Sequence, residues 1–425
     1  MEADANDTNP FATDMDLLFV GREQADARLS PHLADPAHLG AVGFYGREHS
    51  GKTALLRHFQ ATAQPNRLMI YIGLDTDIVN DEATLLRALA LSSLEETVRQ
   101  GYLPGASRDM AEAEKFDDHR VWLRDVCLPQ IYRAIRAHRR LVWLIDDAHH
   151  MLDALENEQI PANVFDFLRS LLNPQLAAVL TLDMRYEDKI SQFAPLVETG
   201  SFHRLAKLSP EETARILEKY LAISGDAHTL IFQNTDSEPY LIQQMAKALY
   251  EQYGTRQIDT QAVRAVIPQV IDACRDEFDR RWNALSQDEQ QALIAVANLH
   301  YERPLERIDP AAIEAWLVET DYPMDGTAIA AAMRSLEYAE LIRHTEGSAH
   351  VAALLLQRWL LNRDQPQALQ PAASYPQGVS AQNRRLVIIG VALIVALALI
   401  LTLVLTSDQD NDTQPLPTVT LIDGQ

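Results

Sequence analysis

Residues 44–56 read FYGREHSGKTALL, and this stretch decides the fold. Two glycines, Gly46 and Gly51, stand five positions apart, and Lys52 and Thr53 follow directly. Glycine lets a backbone turn tightly and lets its N–H groups converge on one anion without a Cβ in the way. A lysine ammonium beside such a loop supplies a point charge for phosphate, and a threonine hydroxyl suits Mg²⁺. The loop positions expected to line the anion are Gly46, His49, Ser50, Gly51, Lys52, Thr53 and Ala54. The flanks agree with this reading. LGAVGFYG (residues 39–46) is a short apolar run of the kind a buried strand needs, and Leu55, Leu56 and Phe59 recur at helical spacing behind the loop. Strand, loop and helix N-terminus together make an anion site.

A hard cation beside phosphate calls for a carboxylate at the end of a neighbouring strand. RRLVWLIDDAHHM (residues 139–151) offers one, because five consecutive apolar residues, Leu141 to Ile145, precede Asp146 and Asp147. Open parallel sheets bind ligands at the carboxyl ends of their strands. Asp146 is therefore assigned to the Mg²⁺ shell and Asp147 to orienting an attacking water, with ATP as the nucleotide. His149 and His150 are adjacent, and adjacent helical positions are expected to point apart rather than to form a metal pair.

The remaining chain divides by composition and periodicity. Residues 1–15 are acidic and read as disordered, and residues 16–208 alternate strand and helix signals, an α/β pattern with a parallel sheet covered on both faces. Residues 209–280 read as a helical lid opened by the capping box Ser209-Pro210-Glu211-Glu212. Residues 281–363 start at a second box, Ser286 to Glu289, and close as helix, strand, turn, strand, helix, the order of a winged helix. Residues 364–385 contain Pro366, Pro371 and Pro376 and read as a linker. Residues 386–405 hold twenty uncharged residues, about 30 Å of helix and enough to cross a bilayer. Arg384 and Arg385 before that span put the N-terminal part in the cytoplasm, at the inner cell membrane, with residues 406–425 as an external tail. The two cysteines, Cys127 and Cys274, read as reduced thiols.

These motifs in this order resemble the STAND branch of AAA+-like P-loop NTPases: FVGRE (residues 19–23), the glycine loop, the strand ending in the Asp pair, LAKLSPEE (residues 205–212), SEPYLIQQM (residues 237–245) and a closing LLLQRWL (residues 354–360). The resemblance implies an ATP-operated switch whose self-association follows its nucleotide. It makes Val20 and Gly21 part of the adenine pocket, with Arg22 anchoring that segment. It makes Pro239 the lid proline touching the base or ribose side, and Arg185 a polar sensor near the γ-phosphate. Two departures stand out. Ser237-Glu238 occupies the place of the family's glycine before the lid proline, and the second acid is Asp147 where motor-type relatives carry Glu, which fits slow hydrolysis. No arginine finger is assigned, Arg204 being the weak candidate.

The expected partners are further copies of the chain and a protein at the membrane. Nucleic acid is disfavoured: the chain has 37 Lys and Arg against 60 Asp and Glu, a net charge of −23. From residue 281 to 363, seven Arg and no Lys face twelve Asp and Glu. The alternatives are a membrane-tethered DNA-binding regulator and a scaffold that holds ATP without hydrolysing it.

Overall fold

The computed structural model describes residues 9–11, 22–35, 39–62, 66–104, 118–135, 139–303 and 306–363. Val20, Gly21, the linker, the expected membrane span 386–405 and the tail lie outside them. Among the described residues no helix is long and apolar enough to cross a membrane.

Five strands, β1 (Ala41–Gly46), β2 (Arg67–Gly73), β3 (Arg140–Asp146), β4 (Leu176–Asp183) and β5 (Val197–Arg204), form one sheet in the order β2-β3-β4-β1-β5. Every pairing is parallel. Every residue of β3 and β4 is buried, which is why both read as unbroken apolar runs. Their side chains alternate between two cores. Leu141, Trp143 and Ile145 pack with the helices Glu82–Arg99, Leu128–Ile135, His149–Glu156 and Val164–Leu171. Val142 and Leu144 pack with Leu55, Leu56 and Phe59 of the helix Lys52–Ala61 and with Leu29 and Leu33 of the helix Glu23–Ala34.

The strand order explains this division. From β1 the chain runs leftward to β2, and every later step runs rightward, so right-handed crossovers place the first helix on one face and the later ones on the other. Burial of Leu55, Leu56 and Phe59 stabilises the first helix by about 1.5–3 kcal/mol each, which pins its N-terminus at the tip of β1. Trp143 is core, as its setting in an apolar run implies, and its indole N–H donates to Ser93 Oγ at 2.9 Å.

Both capping boxes form, Ser209 with Glu212 and Ser286 with Glu289. The hairpin Ile342–Thr345 with Ser348–Val351 turns at Glu346 and Gly347, both at positive φ, and the helix Leu354–Arg363 follows. Two short parallel strands, Ala222–Ile223 and Gln257–Ile258, sit inside the helical lid, too brief to leave a periodic signal.

At two places the packing runs across an expected boundary. A division at residue 281 falls inside the helix Arg275–Asn283, and a single buried core runs from Leu208 to Leu360 through both segments. Phe278 and Trp282 of that helix pack on Trp359, with ring centroids 5.7 and 6.3 Å apart, so the last helix closes onto the lid. Residues 9–11, expected within a disordered N-terminus, are docked: Phe11 is 1% exposed, edge-on to Tyr220 at 5.7 Å, and Asn9 donates to the Lys247 carbonyl.

Because Phe278 is fully buried in the shared core, Phe278→Ala is expected to cost about 3–5 kcal/mol. Urea unfolding followed by circular dichroism will show this as a lowered midpoint. An unchanged midpoint would refute the shared core.

Candidate functional site

The loop between β1 and the helix Lys52–Ala61 is built as its glycines require. Gly51 has φ +91°, and a Cβ on Gly46 would lie 2.7 Å from Ser50 Oγ and 3.2 Å from the Leu205 carbonyl. Arg22 holds the loop from behind. Its guanidinium is 7% exposed and donates to the carbonyls of Ser50 and Ala206, each at 2.6 Å. Burial lowers its pKa to about 10, partly offset by Glu212, so it stays charged at neutral pH. Lys52 is 7% exposed and donates to the loop carbonyls of Gly46 at 3.0 Å and Arg47 at 2.8 Å. Burial pulls its pKa down, and Asp183, Asp147 and Asp146 oppose that pull.

The acids stand at the tips of β3 and β4. Asp146 is 1% exposed: Oδ2 accepts from the Tyr71 hydroxyl at 2.8 Å, and Oδ1 accepts from Thr181 Oγ1. The same Thr181 hydroxyl accepts the Asp147 N–H at 3.0 Å, and the Thr181 carbonyl accepts the Ala148 N–H at 2.8 Å. One residue of β4 thus fixes the whole Asp-Asp turn, in which Asp147 adopts φ 53°, a conformation Asp tolerates. Burial and the neighbouring Asp146 push the Asp147 carboxyl above its usual range. Asp183, 6% exposed, is pushed up by burial but held below the usual range overall by Arg185, whose backbone N–H and guanidinium both donate to it at 2.9 Å.

A cavity of about 750 Å³ opens over these groups, within the size range of small-molecule sites. His49, Gly51, Lys52, Thr53, Ala54 and Asp147 line it, joined by Arg57 and by Tyr240 and Gln243 of the lid helix Pro239–Tyr253. Gly46, Ser50 and Asp146 do not line it, and Asp146 is 1% exposed.

Two expected contacts differ. Arg185 turns back onto Asp183 with its side chain 75% exposed, and it does not line the cavity; the buried polar group at that strand end is Asp183. Pro239 is buried at the first helical position, beside Arg47 and Ser50, and the lid residues that face the cavity are Gln243 and Tyr240, the latter stacked on His49 at 4.6 Å. His149 and His150 also do not point apart: in the first turn of their helix the rings lie 4.4 Å from each other, and burial, with His150 adding to it, lowers His149 to about 4.

The loop's variable residues are tied to the C-terminal half. Arg47 reaches Glu340 at 3.7 Å, Glu48 pairs with Arg280, and His49 Nε2 lies 3.2 Å from Glu277. Arg281 donates to Glu277 at 2.5 Å and to Glu238 at 2.9 Å. Arg204 pairs with Glu340 and is therefore engaged within the chain. Sequence reasoning missed Thr181, Tyr71, Tyr240 and this ionic layer. The available signal was a lone polar residue inside an apolar strand, as in LAAVLTLD and RLMIYIG.

Residues 38–182 match a family model described as an AAA domain. Among solved structures, a Walker-type ATPase of Pyrococcus abyssi matches with a TM-score of 0.55 at 14% identity, covering 81% of this chain and 96% of that one. Cdc6p of Pyrobaculum aerophilum (TM-score 0.36, 13% identity, 85% and 97% covered) and RuvB of Thermotoga maritima (0.37, 13%, 78% and 92%) also match, too distantly to add to the fold. No curated protein matches the chain. Residues 38–182 are thus similar to AAA domains, and the α/β fold with its parallel sheet is that typical of a P-loop NTPase.

Two outcomes follow from this geometry. Thr181→Val leaves Asp146 and the Asp147 N–H without a shared partner and is expected to cost about 1–3 kcal/mol in thermal unfolding. Glu277 is raised by burial but held at about 2 overall by His49 and Arg281. Its folded value lies below the unfolded one, so it adds stability above pH ~4.5 that is lost as pH falls toward 2. Glu277→Gln should flatten the stability profile in that window, and an unchanged slope would refute the pairing.

Proposed function

We propose that this protein is a membrane-anchored ATPase that hydrolyses ATP slowly and uses the nucleotide to switch its association with further copies of itself or with a partner protein. The observation that carries this reading is the meeting of Lys52, from the loop after β1, with Asp146, Asp147 and Asp183 at the tips of β3 and β4.

The donor set suits ATP with Mg²⁺. Gly46 and Gly51 leave the loop amides free of Cβ atoms, and the Lys52 ammonium spends its hydrogen bonds on its own loop, where phosphate oxygens can take them over. Thr53 at the cavity and Asp146 below it would hold Mg²⁺, whose charge would offset that of the β- and γ-phosphates. Asp147, fixed through Thr181 and raised in pKa, positions the attacking water and takes up part of its proton charge. Lys52 supports the charge that develops on the transferring phosphate. Tyr240 and Gln243 close the site from the lid, and Val20 and Gly21 belong to the adenine side.

Switching is supported by the ties of Arg47, Glu48 and His49 to Glu340, Arg280 and Glu277: any change in the loop acts on the lid and on the winged-helix-like segment. Residues 386–405 would hold the assembly at the inner membrane with residues 406–425 outside, the STAND-like arrangement. The acidic balance of residues 281–363 disfavours a DNA-binding role for that segment.

The test uses the full chain in detergent, with mass by light scattering and phosphate release measured together. Mass is expected to rise with ATP and to fall as ATP is consumed. Lys52→Ala should lose nucleotide binding, and Asp147→Asn should bind ATP but turn over at least about 100-fold more slowly. Unchanged turnover in both variants would sink these assignments.

A further inference from the structure

We infer that Tyr71, on the edge strand β2, is a positioning residue for the Mg²⁺ ligand Asp146, an inference that rests on the function proposed above. In an otherwise apolar strand, Tyr71 is only half-buried, and its hydroxyl donates to Asp146 Oδ2 at 2.8 Å. The local build explains how it gets there. Gly73, two residues on, is the register partner of Asp146, and a Cβ on Gly73 would lie 3.4 Å from the Tyr71 hydroxyl. The ring therefore runs in contact range of Gly73 and reaches from β2 to Asp146 of β3 at the strand tip.

The other face of the ring is covered. The Arg57 guanidinium stands 3.5 Å over it, and Arg57 itself lines the cavity from the helix that follows the loop. The carboxylate is thus gripped from both neighbouring strands, Oδ1 by Thr181 on β4 and Oδ2 by Tyr71 on β2. Such a grip fixes the plane of the carboxylate and leaves only its outward lone pairs for the cation shell. Partners that orient a ligand in this way typically control 10–100-fold in metal affinity.

Tyr71→Phe removes the hydroxyl and keeps both the ring and the Arg57 contact. The full chain would be titrated with a fluorescent methylanthraniloyl derivative of ATP in EDTA, and again across a MgCl2 series, with the half-saturating Mg²⁺ concentration as the readout. The expected result is unchanged affinity in EDTA and a half-saturating Mg²⁺ about 10-fold or more above wild type. Equal Mg²⁺ dependence in variant and wild type would overturn the positioning role while leaving the nucleotide site intact. Loss of binding in EDTA as well would assign Tyr71 to the fold instead, and overturns the inference equally. Failure of the wild type itself to bind the probe would overturn the nucleotide reading, which separates that failure from the first.

Discussion

The geometry of the site depends on β4 standing between β1 and β3. Strands in a sheet are about 4.8 Å apart, so this insertion sets the tips of β1 and β3 at about 10 Å. Lys52, on the helix after β1, thus faces Asp183 on the intervening strand and Asp147 and Asp146 beyond it, and feels the charge of all three. The insertion also brings the residues of β4 under the gap. Thr181 joins the turn after β3 through three hydrogen bonds, and Asp183 adds its charge below Lys52.

Charge is distributed with the same economy. A chain with a net charge of −23 places Arg47, Arg280 and Arg281 at the seam where the loop meets the lid, against Glu48, Glu238, Glu277 and Glu340. Glu48, His49 and Glu277 bring ligand-type atoms within 4.8 Å of one another, yet Arg280 and Arg281 already supply the positive charge there. The buried members of this layer, Arg281 with Glu238 and Glu277, would be costly to separate, about 3–5 kcal/mol for an orphaned partner. The exposed pair Glu48–Arg280 is worth about 1 kcal/mol or less.

What could be read from the sequence was local. The glycine loop, the apolar runs of β3 and β4, both capping boxes and the Glu346-Gly347 turn depend on residues a few positions apart, and periodicity or turn chemistry reports on such neighbours. What escaped depends on which strands lie side by side. Nothing near Tyr71 in sequence announces Asp146, 75 positions away, because only the order β2-β3-β4 makes them neighbours. Arg185, a sensor by the resemblance, and Asp183 end the same strand, and only burial separates the exposed guanidinium from the buried carboxylate. Pro239, which the resemblance makes the lid proline at the base or ribose side, is buried at a helix start, whereas the side chains of this lid helix that line the cavity are Tyr240 and Gln243. The single core from Leu208 to Leu360 likewise joins two segments whose capping boxes mark them as separate.

The magnitudes also bound how such a loop could act as a switch. A ligand at a hundredfold its dissociation constant stabilises the state it binds by about 2.7 kcal/mol. That is less than the cost of orphaning one member of the buried Arg281 cluster and more than the worth of the exposed Glu48–Arg280 pair. His49 lies between the two, a third exposed, paired with Glu277 and stacked on Tyr240 at the cavity wall. On the proposed reading, phosphate arriving in the loop therefore has enough differential free energy to exchange the ties of Glu48 and His49, and too little to open the Arg281 cluster alone. In the switch proposed above, the seam would be a hinge with a fixed pin at Arg281 and a releasable side at the loop. Opening it further would require a second source of free energy, and under the proposed self-association burial of a face against another copy of the chain would be one that rises with concentration.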